Sequence, residues 1–184
     1  MDYDKENPIG LDASITKLKD ILLELNQTWS LVNPEDEEDK SKFLDSYTRC
    51  EVIKKGDRND VCFYTSKTEF PTISVAEGNK FFFLHRFKSI KEDAINYKSK
   101  IELIFIIDLL KVKPNVDHRA DFEAQNDVEL LLQQVENIWV ESLDYGYLNA
   151  LNGISYEQKN DVSQYHVFKF TLGIRYDMNE TCIC

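Results

Sequence analysis

The side chains with a claim to chemistry are few and scattered. Asp108 interrupts the apolar segment from Ile101 to Val112, and a carboxylate buried there would have a raised pKa and could act as an acid. His118 and Arg119, just before a predicted helix, would have to stand beside it to complete an acid–base pair. The pattern points the other way. Ile101, Leu103, Phe105, Ile107 and Leu109 all fall on odd positions, so in a strand Asp108 faces solvent or a neighbouring subunit. His85, His118 and His166 lie far apart, and Cys182-x-Cys184 lacks zinc-ligand spacing, although its thiols could be reactive. Cys50 and Cys62 fall in adjacent candidate strands and read as small core residues. The sequence contains no phosphate-binding loop, dinucleotide glycine fingerprint, nucleophile elbow or H-E-x-x-H pair. No catalytic residue, metal site or cofactor is predicted.

Lys80, Arg86 and Lys88 beside Phe82, Phe83 and Phe87 have the mixture that single-strand nucleic-acid binders use. A core strand with one polar face explains that alternation equally well. The charge balance speaks against a grip on nucleic acid: 33 acidic residues against 22 basic leave a net charge of −11. Such a surface repels phosphates, which suits solubility or a wall past which DNA slides. No apolar run approaches the roughly 20 residues of a membrane span, so no membrane partner is expected. Met1 to Glu6 is acidic without an apolar core, so neither a signal peptide nor an oxidising compartment is expected.

The elements that must position these residues follow from periodicity. One domain is expected over 1–184, with an irregular arm at 1–9 and a tail at 177–184. Leu11, Ile15, Leu18, Leu22 and Leu25 recur at helical spacing, and Trp29 extends that face up to Pro34. The acidic run Glu35 to Asp39 reads as a solvated loop. Strands at Tyr47–Ile53 and Val61–Thr65 flank a turn at Gly56 to Asp60, followed by a short strand at Thr72–Val75. A turn at Glu77 to Asn79 leads into a strand at Phe81–Phe87. The segment Ile101–Val112 reads as a strand pairing antiparallel with it across a long polar tip. A second amphipathic helix is predicted over Asp121–Trp139, then a connector at Asp144 to Tyr147. A final strand carries Phe168, Phe170, Leu172, Ile174 and Tyr176 on one face. The fold class is α+β: a mainly antiparallel sheet, two amphipathic helices packed on it and a long β-hairpin.

This order resembles the tail-terminator and head-to-tail joining proteins of tailed bacteriophages. The likeness is carried by the helix Leu11–Trp29, the acidic helix Asp121–Trp139 and the strand Phe168-Lys169-Phe170-Thr171-Leu172-Gly173-Ile174-Arg175-Tyr176. The Asn- and Lys-rich composition is similar to neck ring proteins of crAss-like phages. It is a likeness of pattern over most of residues 8–178, not of an exact motif.

The resemblance implies a structural virion protein, not an enzyme, placed in the neck or tail region and assembled in the host cytoplasm. Its partners would be copies of itself in a sixfold or twelvefold ring, portal, adaptor or tail proteins, and genomic DNA passing through without specific binding. The expected interface residues are Arg86, Lys88, Lys91, Glu92, Asp93, Tyr97 and Lys98 on the hairpin, with Tyr145 and Tyr147 on the connector. The alternative is an acidic soluble binding module or inhibitor that mimics nucleic acid.

Overall fold

A computed structural model describes residues 2–3, 8–31, 43–63, 71–73, 78–116, 118–155 and 165–178. Gly10, at φ 57, turns the chain into helix α1 (Leu11–Leu22). Leu11, Ile15, Leu18 and Leu22 are buried along one face, as their spacing requires. The helix breaks at Leu23 and Glu24 and resumes as the single turn α2 (Leu25–Thr28), so the predicted continuous helix is two pieces. Leu25 and Trp29 still extend the buried face.

The strands are β1 (Asp2–Tyr3), β2 (Leu44–Lys55), β3 (Arg58–Phe63), β4 (Asn79–Leu84), β5 (Ile90–Lys91), β6 (Asn96–Asp108), β7 (Ile138–Tyr145) and β8 (Tyr165–Asp177). Between β6 and β7 lie the turn α3 (Leu109–Val112) and helix α4 (Ala120–Leu132); the turn α5 (Tyr147–Ala150) follows β7. The sheet runs β1-β2-β4-β6-β8-β7, with β3 beside β2 and β5 beside β6. β2 is parallel to β1 and β4, and every other pairing is antiparallel. The architecture is thus α+β with a mostly antiparallel sheet, and β4 pairs with β6 in the expected sense, Phe81 opposite Phe105.

Both faces of the sheet are covered. On one, α1, Trp29 and α4 pack on Phe81, Phe83, Ile101, Leu103, Phe105, Phe168 and Phe170. On the other, Tyr47, Val61, Phe63 and the α5 turn pack on Phe82, Leu84, Ile104, Ile106 and Val167. This two-sided burial explains the near-continuous apolar run of β6, in which every residue from Ile101 to Asp108 is buried. The expectation of one buried, odd face is therefore corrected, and Asp108 does not face solvent. Cys50 and Cys62 are buried as anticipated, and burial pushes the Cys50 thiol well up from its ordinary pKa.

Four boundaries also differ. The β2–β3 turn is only Gly56-Asp57, with Gly56 at φ 64, because Arg58 to Asp60 already pair with β2. The strand predicted at 81–87 stops at Leu84. The strand predicted over 101–112 begins at Asn96 and gives way to α3, since Asp108 caps a helical turn. Helix α4 ends at Leu132, and Ile138 and Trp139 begin β7 instead of closing the helix. A turn through Asn137, at φ 63, separates them, and pairing of Ile138 to Tyr145 with β8 outweighs local helix preference. Within the predicted irregular arm, Asp2 and Tyr3 pair with Ser46 and Tyr47. Thr72 makes a single bridge to Cys62. The acidic run 35–39, residues 64–65, 74–77, and Cys182 and Cys184 lie outside the described residues.

Candidate interaction surface

Asp108 does structural work. Its carboxylate accepts from Leu110 N (3.1 Å) and lies 3.8 Å from Lys111, while its own N–H donates to Asn79 Oδ1 at 2.7 Å. His118, the partner proposed for it, is exposed. His85 shares a hydrogen bond with Ser99 Oγ (3.0 Å) and His166 one with Gln125 (2.9 Å). Burial lowers the pKa of both rings, with Arg49 adding to the effect at His85. Among the described residues no three His, Cys, Asp or Glu side chains gather as a metal site. A cleft of about 300 Å³ opens between α1 and the turn into β7, lined by Ser14, Lys17, Gln134 and Asn137 among others, with no histidine or cysteine in its wall.

The charges that meet inside the fold are opposite pairs. Glu102 and Lys169, on neighbouring strands β6 and β8, pair at 3.1 Å with both side chains nearly buried. Arg86 approaches the other oxygen of Glu102 at 2.8 Å, and Asp144 lies 3.4 Å from Lys169. Asp127 on α4 accepts from Trp29 Nε1 (2.7 Å) and meets Lys113 at 2.6 Å, which fastens α4 to the end of α2. Glu102 and Lys169 were visible as lone charges within two apolar strands, but only the register brings them together.

The predicted hairpin tip divides in two. Tyr97 and Lys98 belong to β6, inside the sheet: Tyr97 stacks on Tyr176 with ring centroids 5.8 Å apart, and Lys98 Nζ sits 4.6 Å from the Trp139 ring centre. They are half-buried, not tip residues as expected, because β6 starts at Asn96 and pairs with β8 along its whole length. The true tip is Arg86 to Ile95. There Asp93 accepts from Ile95 N, Asn96 N and Asn96 Nδ2 at 2.8–3.0 Å, bonds that hold its carboxyl below the usual pKa. Glu92 takes both Arg175 Nε (2.7 Å) and Nη2 (3.3 Å), and these bonds lower its pKa too. Arg86 bends back to Glu102, while Lys88 and Lys91 are exposed. Beside them Phe87, Ile90 and Ile95 are also exposed, Ile90 at 67%. Met178, exposed too, donates its N–H to Ile95 O and adds to this apolar end.

At the other end of β8 stands the connector. Tyr145 is 66% exposed at the end of β7, whereas Tyr147 opens α5 and is half-buried against the second core cluster. Leu148 is 83% exposed and was not singled out from the sequence, because a lone Leu after two tyrosines carries no periodic signal. Among the described residues β7 pairs with β8 alone, so its outer edge has no strand. The bulge between Val140 and Ser142 interrupts its ladder at Glu141, which reaches Lys100 at 2.5 Å. On the opposite side of the sheet, β3 has neighbours beyond β2. β3 meets Pro71 to Ile73 through Phe63 N→Pro71 O and Ile73 N→Val61 O, and Asn59 exchanges bonds with Ser155.

No protein-family model matches the chain, and no curated protein matches it in sequence. Among the described residues no helix is long and apolar enough to cross a membrane.

Proposed function

We propose that this chain is a structural subunit of a closed ring in the head-to-tail connector or tail end of a tailed-phage particle, with DNA passing through its centre. The observation that carries the reading is the outer edge of β7, which among the described residues has no strand beside it and is flanked by exposed Val140, Tyr145 and Leu148. An unpaired edge beside apolar side chains is a liability in a free subunit, and cyclic head-to-tail assembly removes it. The net charge of −11 suits a wall beside a moving polyanion, since like charge keeps DNA from sticking. Portal, adaptor or tail proteins would then stack on the ring.

The alternative, a soluble nucleic-acid mimic, needs carboxylates free to take the place of phosphates. Asp12, Glu92, Glu102, Asp127 and Glu141 stand beside basic residues of their own chain and are not available for that role. The test is a cryo-electron-microscopy map of the particle that carries this chain. The expected result is a ring of copies around the tail axis; a particle whose axis holds none overturns the reading.

A further inference from the structure

Two exposed apolar ends lie at opposite extremes of β8. Tyr145 is opposite Phe168 near its start, while Asn96, next to Ile95, is opposite Asp177 at its end. Nine residues of strand separate these levels, about 30 Å at ~3.3 Å per residue. A twofold contact needs one self-complementary patch; two different patches at opposite ends are what a repeating heterologous contact needs.

Strand direction and charge agree with such a contact. β5, β6, β8 and β7 are successive neighbours and all antiparallel, so β5 and β7 run in opposite directions at the two margins of this four-strand strip. A second copy set beside β7 in the same orientation would present its β5 antiparallel, continuing the alternation. On the rim near Tyr145, Glu141 is engaged by Lys100, whereas Asp144, 3.4 Å from the nearly buried Lys169 that it shares with Glu102, keeps 43% of its side chain exposed. The rim near Ile90 offers Lys88 and Lys91, while its two acids are engaged, Glu92 by Arg175 and Asp93 mainly by Asn96. Pairing β7 with itself about its C-terminal half would instead bring Glu141 of one copy towards Asp144 of the other, which like charge disfavours.

We propose that successive copies of the chain join head to tail, the end of β7 with Asp144, Tyr145 and Leu148 of one copy seating against the turn Phe87 to Ile95 of the next. Tyr145 and Leu148 meet Phe87, Ile90 and Ile95, and Lys88 and Lys91 face Asp144. Because the two patches lie at different heights along the strands, each copy is staggered against its neighbour, and the contact covers the Asp144–Tyr145 end of the β7 edge and not its full length. The stagger also keeps the incoming β7 clear of β4, which occupies the sheet position beside Leu103 and Phe105. This contact rests on the self-assembly in the ring reading and names the surfaces that make it.

The experiment is disulfide trapping in the full chain, with Cys182→Ser and Cys184→Ser removing the tail thiols and Cys50 and Cys62 left buried. Ile90→Cys and Tyr145→Cys are introduced singly and together, and an added oxidant closes any adjacent pair. The expected result is a ladder of covalent dimers, trimers and larger species for the double variant only. A covalent dimer from either single variant indicates a twofold contact and overturns the proposal, as does the absence of a ladder from the double variant. In parallel, Lys88→Glu with Lys91→Glu, both exposed, should lower the solution mass at low salt by light scattering; an unchanged mass counts against the contact. Rings that form while the double variant gives no ladder sink this contact alone. A ladder from a chain absent from the particle axis sinks the ring reading alone.

Discussion

The indole of Trp139 fills the space above Gly173 on the adjacent strand, so that a Cβ added at Gly173 would collide with Cε2, Cζ2 and Nε1 of the ring. The glycine is there for room and not for an unusual backbone angle, since its φ lies outside the left-handed range. Lys98 stands over the same ring from β6, so three strands meet on one side chain.

Gly173→Ala should therefore destabilise the fold by about 1–3 kcal/mol, the usual cost of overpacking. Strand propensity alone argues for the opposite sign, because Ala is the better strand residue of the two. In a Trp139→Ala background the same change should be neutral or slightly stabilising. Urea unfolding of the two single variants and the double variant reads this coupling directly, and equal effects in both backgrounds would refute it.

Glu102 and Lys169 form a nearly buried pair whose partners have little water to fall back on. Lys169→Met should cost about 1–3 kcal/mol, because Glu102 loses its buried partner while Arg86 still holds its other oxygen at 2.8 Å. Adding Glu102→Leu should recover most of that loss, and Arg86, being more exposed, can return to solvent. A double variant as unstable as the single one would show that the lysine matters for packing alone.

The junction of β6 and α3 depends on two side chains. Asp108→Ala should cost about 1 kcal/mol through loss of the cap on Leu110 N. Asn79→Ala leaves the buried Asp108 N–H without its acceptor and should cost about 1–3 kcal/mol. Hydrogen exchange at Asp108 and Leu110 would distinguish the two, since each amide should lose protection only in its own variant.

Stability should fall in two stages on acidification. His85 and His166 have lowered pKa values in the folded chain, so the unfolded chain binds their protons first. Their contribution is complete above the unfolded value of about 6.5 and is lost as pH falls through the lower folded value. Glu92 and Asp93, also lowered, contribute above the ordinary carboxylate range and lose that contribution as pH falls through their folded values. Thermal melting across pH 3 to 8 should show both stages, and His85→Gln with His166→Gln should remove the upper one.

How much of this was legible in advance depended on whether one local pattern faced one neighbour. Leu11 to Leu22 and Phe168 to Tyr176 could be read correctly because each buries a regular stripe against a single layer. Ile101 to Asp108 could not, because α1 and α4 cover one side of it and the β2–β3 hairpin with α5 covers the other. No window of sequence around β6 records that second layer. The end of α4 was misplaced for a related reason: Gln133 to Asn137 reads as helix, and only pairing with β8 makes Ile138 to Tyr145 a strand. Of the interface candidates, Lys88, Lys91 and Tyr145 are exposed; Arg86, Glu92 and Asp93 are exposed too but are tied to Glu102, Arg175 and Asn96, while Tyr97 and Lys98 lie in the sheet. Spacing alone could not separate a side chain that shapes a turn from one that projects out of it.

The place of β8 in the sheet has a consequence for how the protein is made. β8 lies between β6 and β7, yet residues 109–164 must be synthesised after β6 before β8 begins. At 5–20 residues per second that interval is roughly 3–11 s. Throughout it, the thirteen-residue edge of β6 waits without its longest partner. A nascent chain with so apolar an edge is open to pairing with its siblings on the same message, so slower translation between α4 and β8 should raise the aggregated fraction.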